Sequence, residues 1–279
     1  LKLKYLGTAA AEAVPALFCE CEVCERAREL GGRNVRTRSQ ALLDGRLLID
    51  FPADTYLHVL REGLRLHEIN SCIVTHCHSD HIYPGDLWCL ISYAGRRREK
   101  RAFHLYGTGA VLEMVRAQCE DIEQIIREGG LCLHEIRPFE PFEVEGYRVT
   151  ALKADHGAPE SVVYAVEGPG GKAMLYAHDT GLLQEESMEY LRGSGLRFGL
   201  VSYDCTNGLL EHGERNHMGI NGDVRFRELL EKAGVLAEGC VHVANHFSHN
   251  GGGAGYDEMV PAAGERGFLT SYDGMEVEF

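Results

Sequence analysis

The segment that most restricts what this chain can fold into runs Cys72-Ile73-Val74-Thr75 and then His76-Cys77-His78-Ser79-Asp80-His81. The first four residues read as a short buried strand. His76 and His78 stand two apart, so both imidazoles face one side if the strand direction persists. Asp80 and His81 follow at a turn and are aimed elsewhere. One loop therefore offers two ligands to one metal and two to a neighbouring metal. Imidazole and carboxylate suit zinc, manganese or iron. A single histidine in such a place reads as a core or surface residue. Four metal-capable side chains in six positions after an apolar strand read as a metal site.

Strand-like runs alternate with helix-like runs along the rest of the chain. Strands are expected at residues 1–6, 41–43, 47–49, 103–106, 131–136, 147–152, 162–166, 173–176, 199–203, 240–243 and 275–279, with Asp44-Gly45 as a hairpin turn. Helical spacing marks 54–61, 110–116, 122–127, 185–191 and 223–232, with Thr108 and Asn221 as N-caps and Gly234 as a stop. Strands in two broad sets with helices before and after them predict an α/β layered sandwich. No proline-rich, serine-rich or low-complexity linker divides residues 1–279, so a single domain is expected.

The spacing His76-x-His78-x-Asp80-His81 resembles the hallmark of the metallo-β-lactamase superfamily. Other residues extend the resemblance over nearly the whole chain. His156 follows the strand ending at Leu152, Asp179 follows the strand 173–176, and His246 follows the strand 240–243. The resemblance implies a metallo-β-lactamase-type αβ/βα four-layer sandwich. It implies that His76, His78 and His156 hold one divalent metal (zinc or manganese), that Asp80, His81 and His246 hold a second, and that Asp179 bridges the two. His178, beside Asp179, is read as structural, because the bridging position needs a carboxylate. Asp50 and Asp204 each end an apolar strand and are candidates to orient ligand histidines.

Cys19-Glu20-Cys21-Glu22-Val23-Cys24 carries a second signal. Cysteines two apart are poorly placed to pair with each other, and no export signal points to an oxidising compartment. Three thiols in six residues favour a structural zinc knuckle at about residues 19–24. The fourth ligand expected is His249, three residues after His246. One short segment then serves both metal sites. The other seven of the 10 cysteines read as reduced thiols of a cytoplasmic protein.

The knuckle narrows the resemblance. A Cys-x-Cys-x-x-Cys start with His-x-x-His near the end is similar to the phosphodiesterases of the carbon–phosphorus lyase pathway, which hydrolyse phosphoribosyl 1,2-cyclic phosphate. Arg215-Asn216-His217, Asn221 and Asp273-Gly274-Met275 also match. The resemblance implies a metal-activated hydroxide attacking a small (cyclic) phosphodiester. Asp80 and Asp179 then sit at the reacting centre. His217, not a metal ligand, stabilises phosphoryl charge or protonates the leaving oxygen.

Two rival functions share the fold. A tRNA 3′-processing nuclease has the same histidine motif, and Arg96–Arg101 is one basic run for it. Yet 28 Lys and Arg against 42 Asp and Glu give a net charge of −14, which disfavours a large nucleic-acid surface. A non-hydrolytic accessory protein of pyrroloquinoline quinone biosynthesis shares a similar knuckle, but the complete ligand set favours a hydrolase. A β-lactam hydrolase or thioesterase explains neither the knuckle nor the Arg-Asn-His element. No apolar run suits a membrane span, and a homodimer is a candidate assembly. The glycine-rich run 251–255 lacks a nucleotide-binding context and is expected to be a mobile loop.

Overall fold

The computed structural model describes residues 1–96, 101–211 and 214–279. Fourteen strands form two seven-stranded mixed sheets. The first contains β1 (Lys2–Gly7), β2 (Gln40–Leu43), β3 (Leu47–Ile49), β4 (Ser71–Ile73), β5 (Phe103–Gly107), β6 (Leu131–Glu135) and the last strand, β14 (Glu276–Glu278). The second contains β7 (Phe142–Val144), β8 (Tyr147–Lys153), β9 (Val162–Glu167), β10 (Ala173–Ala177), β11 (Phe198–Asp204), β12 (Leu236–Asn245) and β13 (Leu269–Thr270). The spatial orders are β14-β1-β2-β3-β4-β5-β6 and β7-β8-β9-β10-β11-β12-β13. In each sheet the first three pairings are antiparallel and the last three parallel. The two halves thus repeat one topology, with β3 and β4 corresponding to β10 and β11.

Both sheets are apolar on both faces. Every residue of Ala173-Met174-Leu175-Tyr176-Ala177 is buried, as expected of a strand covered on two sides. Tyr5, Leu47, Ile49, Tyr164, Met174, Tyr176 and Leu200 fill the layer between the sheets. Outside the first sheet lie α2 (Thr55–Arg61), α3 (Gly109–Gln118) and α4 (Ile122–Arg127), whose Val111, Val115 and Ile125 pack on Leu48 and Leu105. Outside the second lie α5 (Glu185–Ser194), α6 (Ile220–Lys232) and α7 (Tyr256–Gly264), where Met188, Phe226 and Met259 pack on Leu175 and Val201. The layering is helix, sheet, sheet, helix, the metallo-β-lactamase arrangement expected. A further helix, α1 (Glu22–Leu30), begins inside the cysteine motif and buries Val23, Cys24 and Ala27 against Val14. No helix among the described residues is long and apolar enough to cross a membrane.

Two expectations are corrected. Helix α6 is capped by Gly219 rather than Asn221, which lies inside its first turn. The 251–255 run is packed, not a free loop. Gly251 accepts the Leu209 N–H (3.2 Å), and a Cβ on it would come within 3.1 Å of the Gly208 backbone. Arg26 donates to the Gly253 carbonyl, and Gly255 caps α7 with Glu258 at its N–H. Gly251 permits close backbone approach to Gly208, while Gly252 and Gly253 are exposed. Of the basic run, residues 97–100 lie outside the described residues.

Candidate metal centre

The site lies where the C-terminal ends of β3, β4, β8, β10, β11 and β12 meet. The chain turns sharply as it leaves these strands: Asp50, Asp179 and His246 all take left-handed backbone angles, with φ of 65°, 50° and 64°. Such angles are costly for residues other than glycine and cluster at functional sites. Here they redirect side chains from the strand ends into a common space. His76, His78 and Asp80-His81 leave β4, Asp50 leaves β3, and Asp179, Asp204 and His246 leave β10, β11 and β12. His156 follows β8.

His76 Nε2 and His156 Nε2 lie 3.1 and 3.2 Å from His78 Nδ1. His81 Nε2 lies 3.3 Å from Asp80 Oδ2 and 3.3 Å from His246 Nε2. Asp179 joins the two groups. Its Oδ2 is 2.7 Å from His81 Nε2 and 2.8 Å from His246 Nε2, while its Oδ1 is 3.8 Å from His156 Nε2. His76, His78 and His156 therefore form one potential ligand group, and Asp80, His81 and His246 another.

The chemistry of these donors fits cations. Asp50 Oδ2 accepts from His81 Nδ1–H (2.7 Å), and Asp50 Oδ1 accepts from the Thr75 N–H and hydroxyl (2.8 and 3.0 Å). In the neutral His81 ring this leaves a lone pair on Nε2, facing His246 Nε2. Asp179 Oδ2 is buried between them, yet has no hydrogen-bond partner of acceptable geometry. Lone pairs that converge without protons to share need a positive ion. Burial opposes charge on Asp179, and it is positive charge at His246 and His81, as protons or as cations in their place, that holds its carboxyl well below the usual range. Burial, with His81 and His156 adding to it, lowers His76 well below the usual imidazole range against the pull of Asp179 and Asp80.

His217 stands at the edge of this cluster, and the N-cap of α6 is Gly219, so it does not cap that helix. Its Nδ1 lies 3.0 Å from Asp204 Oδ2 and 3.7 Å from Asp179 Oδ1. Burial pushes the imidazole down, but Asp204, with Asp179 and Asp80 behind it, outweighs burial and lifts His217 to about 9. Asp204 is held in turn by the N–H groups of Asp179 (2.9 Å) and Met218 (2.9 Å). His178 sits apart in the inter-sheet layer, bonded to Ser202 Oγ (2.7 Å) and Asn245 Nδ2 (3.2 Å).

Cys19, Cys21, Cys24 and His249 form a separate group of potential ligands. His249 Nδ1 lies 3.6 Å from Cys19 Sγ and 3.5 Å from Cys21 Sγ. Burial disfavours the Cys21 thiolate, but the Cys24 N–H and His249 draw its pKa down to about 6, as suits a metal-binding thiolate. Sequence reasoning missed three supporting residues. Glu12 accepts from Ser248 Oγ and Asn250 Nδ2 (3.3 Å) and lies 3.7 Å from His249 Nε2. Thr206 bonds His246 Nδ1 (2.8 Å), and Asp155 binds Arg215. Thr206 and Asp155 stand beside recognisable residues, but no local pattern marks Glu12.

Two sheets that gather histidines and aspartates at one rim define a protein of the metal-dependent hydrolase class. Residues 46–237 match the family model of the beta-lactamase superfamily domain, and the chain belongs to that superfamily. It is 31% identical over 188 residues to ribonuclease Z of Listeria innocua serovar 6a, a match covering 63% of this chain and 54% of that protein. The chain thus spans about half the length of the curated relatives it matches first. Among solved structures, a diphosphatase from the PhnP family superposes with a TM-score of 0.73 at 23% identity, covering 100% of this chain and 97% of that one. Zinc-bound PqqB from Methylobacterium extorquens gives 0.74 at 20% identity, with 100% of both chains covered. At these identities the structural likeness defines the fold.

Proposed function

We propose that the chain is a di-metal phosphodiesterase acting on a small anionic phosphodiester, with phosphoribosyl 1,2-cyclic phosphate or a related compound as its substrate. The observation that carries this reading is the pairing of two three-residue ligand groups through Asp179, with protonated His217 beside them. His76, His78 and His156 would hold one zinc or manganese ion, Asp80, His81 and His246 the second, and Asp179 would bridge. Cys19, Cys21, Cys24 and His249 would hold a structural zinc. A pair of divalent ions supplies Lewis acidity toward phosphoryl oxygens and a hydroxide nucleophile at neutral pH.

The chain's own groups supply the rest. Asp50 and Thr206 fix the rings of His81 and His246 by bonding Nδ1 and leave Nε2 to the metal. The carboxylate of Asp204 keeps His217 oriented through Nδ1 and protonated. The free Nε2–H of His217 is then the proton donor to the leaving alkoxide oxygen.

The test is a substrate panel on metal-reconstituted protein: a cyclic ribose phosphate, a simple phosphodiester, a thioester, a β-lactam and a precursor tRNA. Turnover of the small diesters is expected. No diester turnover at full metal occupancy sinks the reading, and preferred cleavage of the tRNA would replace it with a nuclease.

A further inference from the structure

The cysteine motif carries more than a set of ligands. Cys21 is the N-cap of α1, and Cys24 lies in the first turn of that helix. The Cys21 carbonyl accepts the Glu25 N–H at 2.9 Å, so the backbone joining the two cysteines is already helical. Residues three apart on an α-helix have Cα atoms about 5 Å apart. A disulfide spans Cα separations of roughly 4.4–6.8 Å. The Cys21 and Cys24 sulfurs lie within 4.8 Å of each other, so side-chain rotation can join them. Cys19 and Cys21 are two apart and poorly placed to pair. No other two cysteines are close enough in sequence to share a helical turn.

The two thiols differ in access. Leu17 and Phe18, just before the motif, are exposed, and Cys21 is half-buried. Cys24 is 0% exposed, and its Sγ accepts the Ala16 N–H at 3.3 Å. A small oxidant in solvent therefore meets Cys21 and not Cys24. Cys19 is also half-buried, but it lies outside the helix. The positive end of a helix favours a thiolate, which is the reactive form of cysteine. A reachable thiolate beside a buried thiol of the same turn is the arrangement of an attacked and a resolving cysteine. The scaffold does not hang on the sulfurs. Arg28 donates to the Cys19 carbonyl (2.7 Å), and Val23 and Ala27 stay packed on Val14. Helix α1 can thus remain docked while its thiols change partners.

We propose that Cys21 and Cys24 form a peroxide-sensitive modification site, at which a disulfide displaces the knuckle's zinc and frees the loop that presents His246. The Cys21 thiolate attacks one peroxide oxygen. An S–O bond forms, the O–O bond breaks and hydroxide leaves, so the sulfur is oxidised by two electrons to a sulfenic acid while the peroxide is reduced. The Cys24 sulfur then attacks that of Cys21. The S–S bond forms, the S–O bond breaks and water leaves with the Cys24 proton. Only Cys19 and His249 remain of the four donors that a tetrahedral zinc needs. His249, 3.5 Å from Cys21 Sγ and three residues from His246, loses its anchor. A dithiol reductant with zinc reverses the change. The inference rests on the zinc knuckle and on the His246 metal of the reading above, and not on which substrate is turned over.

The experiment treats zinc-loaded protein with a few equivalents of hydrogen peroxide and follows released zinc, free thiols and the product peptides. The expected result is one equivalent of zinc released, two thiols lost and a disulfide mapped by fragmentation to Cys21 and Cys24. Chelator competition should show metal at the His246 group held about tenfold more weakly, as when an outer support of a metal ligand is removed. Dithiothreitol with added zinc should restore all of these. Cys24→Ser should stop at the sulfenic acid, captured on Cys21 by dimedone. Should that variant not fold, Cys19→Ser serves instead, and the Cys21–Cys24 disulfide should still form in it. A disulfide to Cys19, over-oxidation of Cys21 without a cross-link, or retention of the zinc overturns the proposal. So does a Cys21–Cys24 disulfide that leaves the His246 metal at full affinity. The expected release and disulfide in a protein that turns over no diester would keep this inference and discard the phosphodiesterase reading.

Discussion

At neutral pH His217 carries a proton that Asp204 keeps in place, its pKa held at about 9. The acid form is present below that pH and is lost as pH rises through it. Turnover should therefore fall on the alkaline side, at a pH below 9 because bound cations would offset the Asp179 and Asp80 carboxylates that help to raise His217. His217→Ala should keep its metal and lose ~10²–10⁴ in kcat, the usual contribution of a positioned acid, and its residual rate should lack the alkaline limb. Loss of metal in that variant would make His217 a ligand instead. His58 gives a separate titration, outside the groups of potential metal ligands. Gln40 donates its amide to the Asp50 carbonyl (2.9 Å) and Thr55 Oγ1 (3.0 Å), so its Oε1 can only accept, and His58 Nδ1 at 2.6 Å must be the protonated nitrogen. His58 Nε2 lies 2.7 Å from Thr37 Oγ1, whose single proton is shared with Asp273 Oδ2, also at 2.7 Å. Burial lowers this imidazole to about 4, and Asp54 offsets only part of the effect. The unfolded chain takes up the proton first on acidification, so this contribution is full above pH 6.5 and is lost as pH falls toward 4. Between pH 7 and 4.5 the loss is about 2 kcal/mol by linkage. Urea unfolding at both pH values should show a smaller acid loss for His58→Gln than for wild type, and equal losses would sink the argument.

The loop after β12 is the element on which the two metal groups depend together. Over residues 245–250 it places His246 in the histidine–aspartate cluster, donates the Phe247 N–H to Thr8 (2.9 Å), bonds Ser248 to Glu12 and puts His249 among the cysteines. A structural zinc at the knuckle would therefore fix the loop that presents His246. Cys21→Ser should lose the structural zinc and also weaken metal at the His246 group. If metal analysis shows one equivalent lost while catalysis stays normal, the two sites are independent. At this scale the sequence was readable wherever hydrophobic period was strong. The strands 47–49 and 162–166 and the helix 122–127 agree with β3, β9 and α4 to within one residue. β13, with two residues, is too short for a period to register, and in β7 Glu143 interrupts the apolar run. Helix α7 contains Pro261, which argues against a helix from sequence. Helix α1 has few apolar positions and starts in a motif whose cysteines pointed to metal rather than to helix. The packed glycines 208 and 251 are 43 positions apart, so their contact had no local signature.

For the whole molecule, the two sheets repeat one topology and contribute unequal ligands. The first brings His76, His78, Asp80 and His81, and the second brings His156, Asp179 and His246. The motif in the first half was legible because its residues are adjacent. The second half's ligands were placed by resemblance, since nothing in their own spacing joins residues 90 positions apart; that join is made by the strand order. Bound divalent ions would tie the rim of one sheet to the rim of the other and bring positive charge into a chain of net charge −14, so that an anionic diester meets the metals and not the acidic exterior. Metal binding only to the folded state stabilises by ~4 kcal/mol per site at a thousandfold excess over Kd. For a chain of this size the sum of two such sites corresponds to a Tm shift on the order of 10 °C or more. Removing metal with a chelator should lower Tm by that order, and adding back zinc or manganese should restore it. The variant His78→Ala, which deletes a ligand on the exposed side of the cluster, should retain only part of the shift. An unchanged Tm after analytically complete metal removal would mean that the rim is preorganised by Asp50, Asp204 and the buried Tyr5–Ser202 bond between the sheets alone, with the ions adding chemistry but no cohesion.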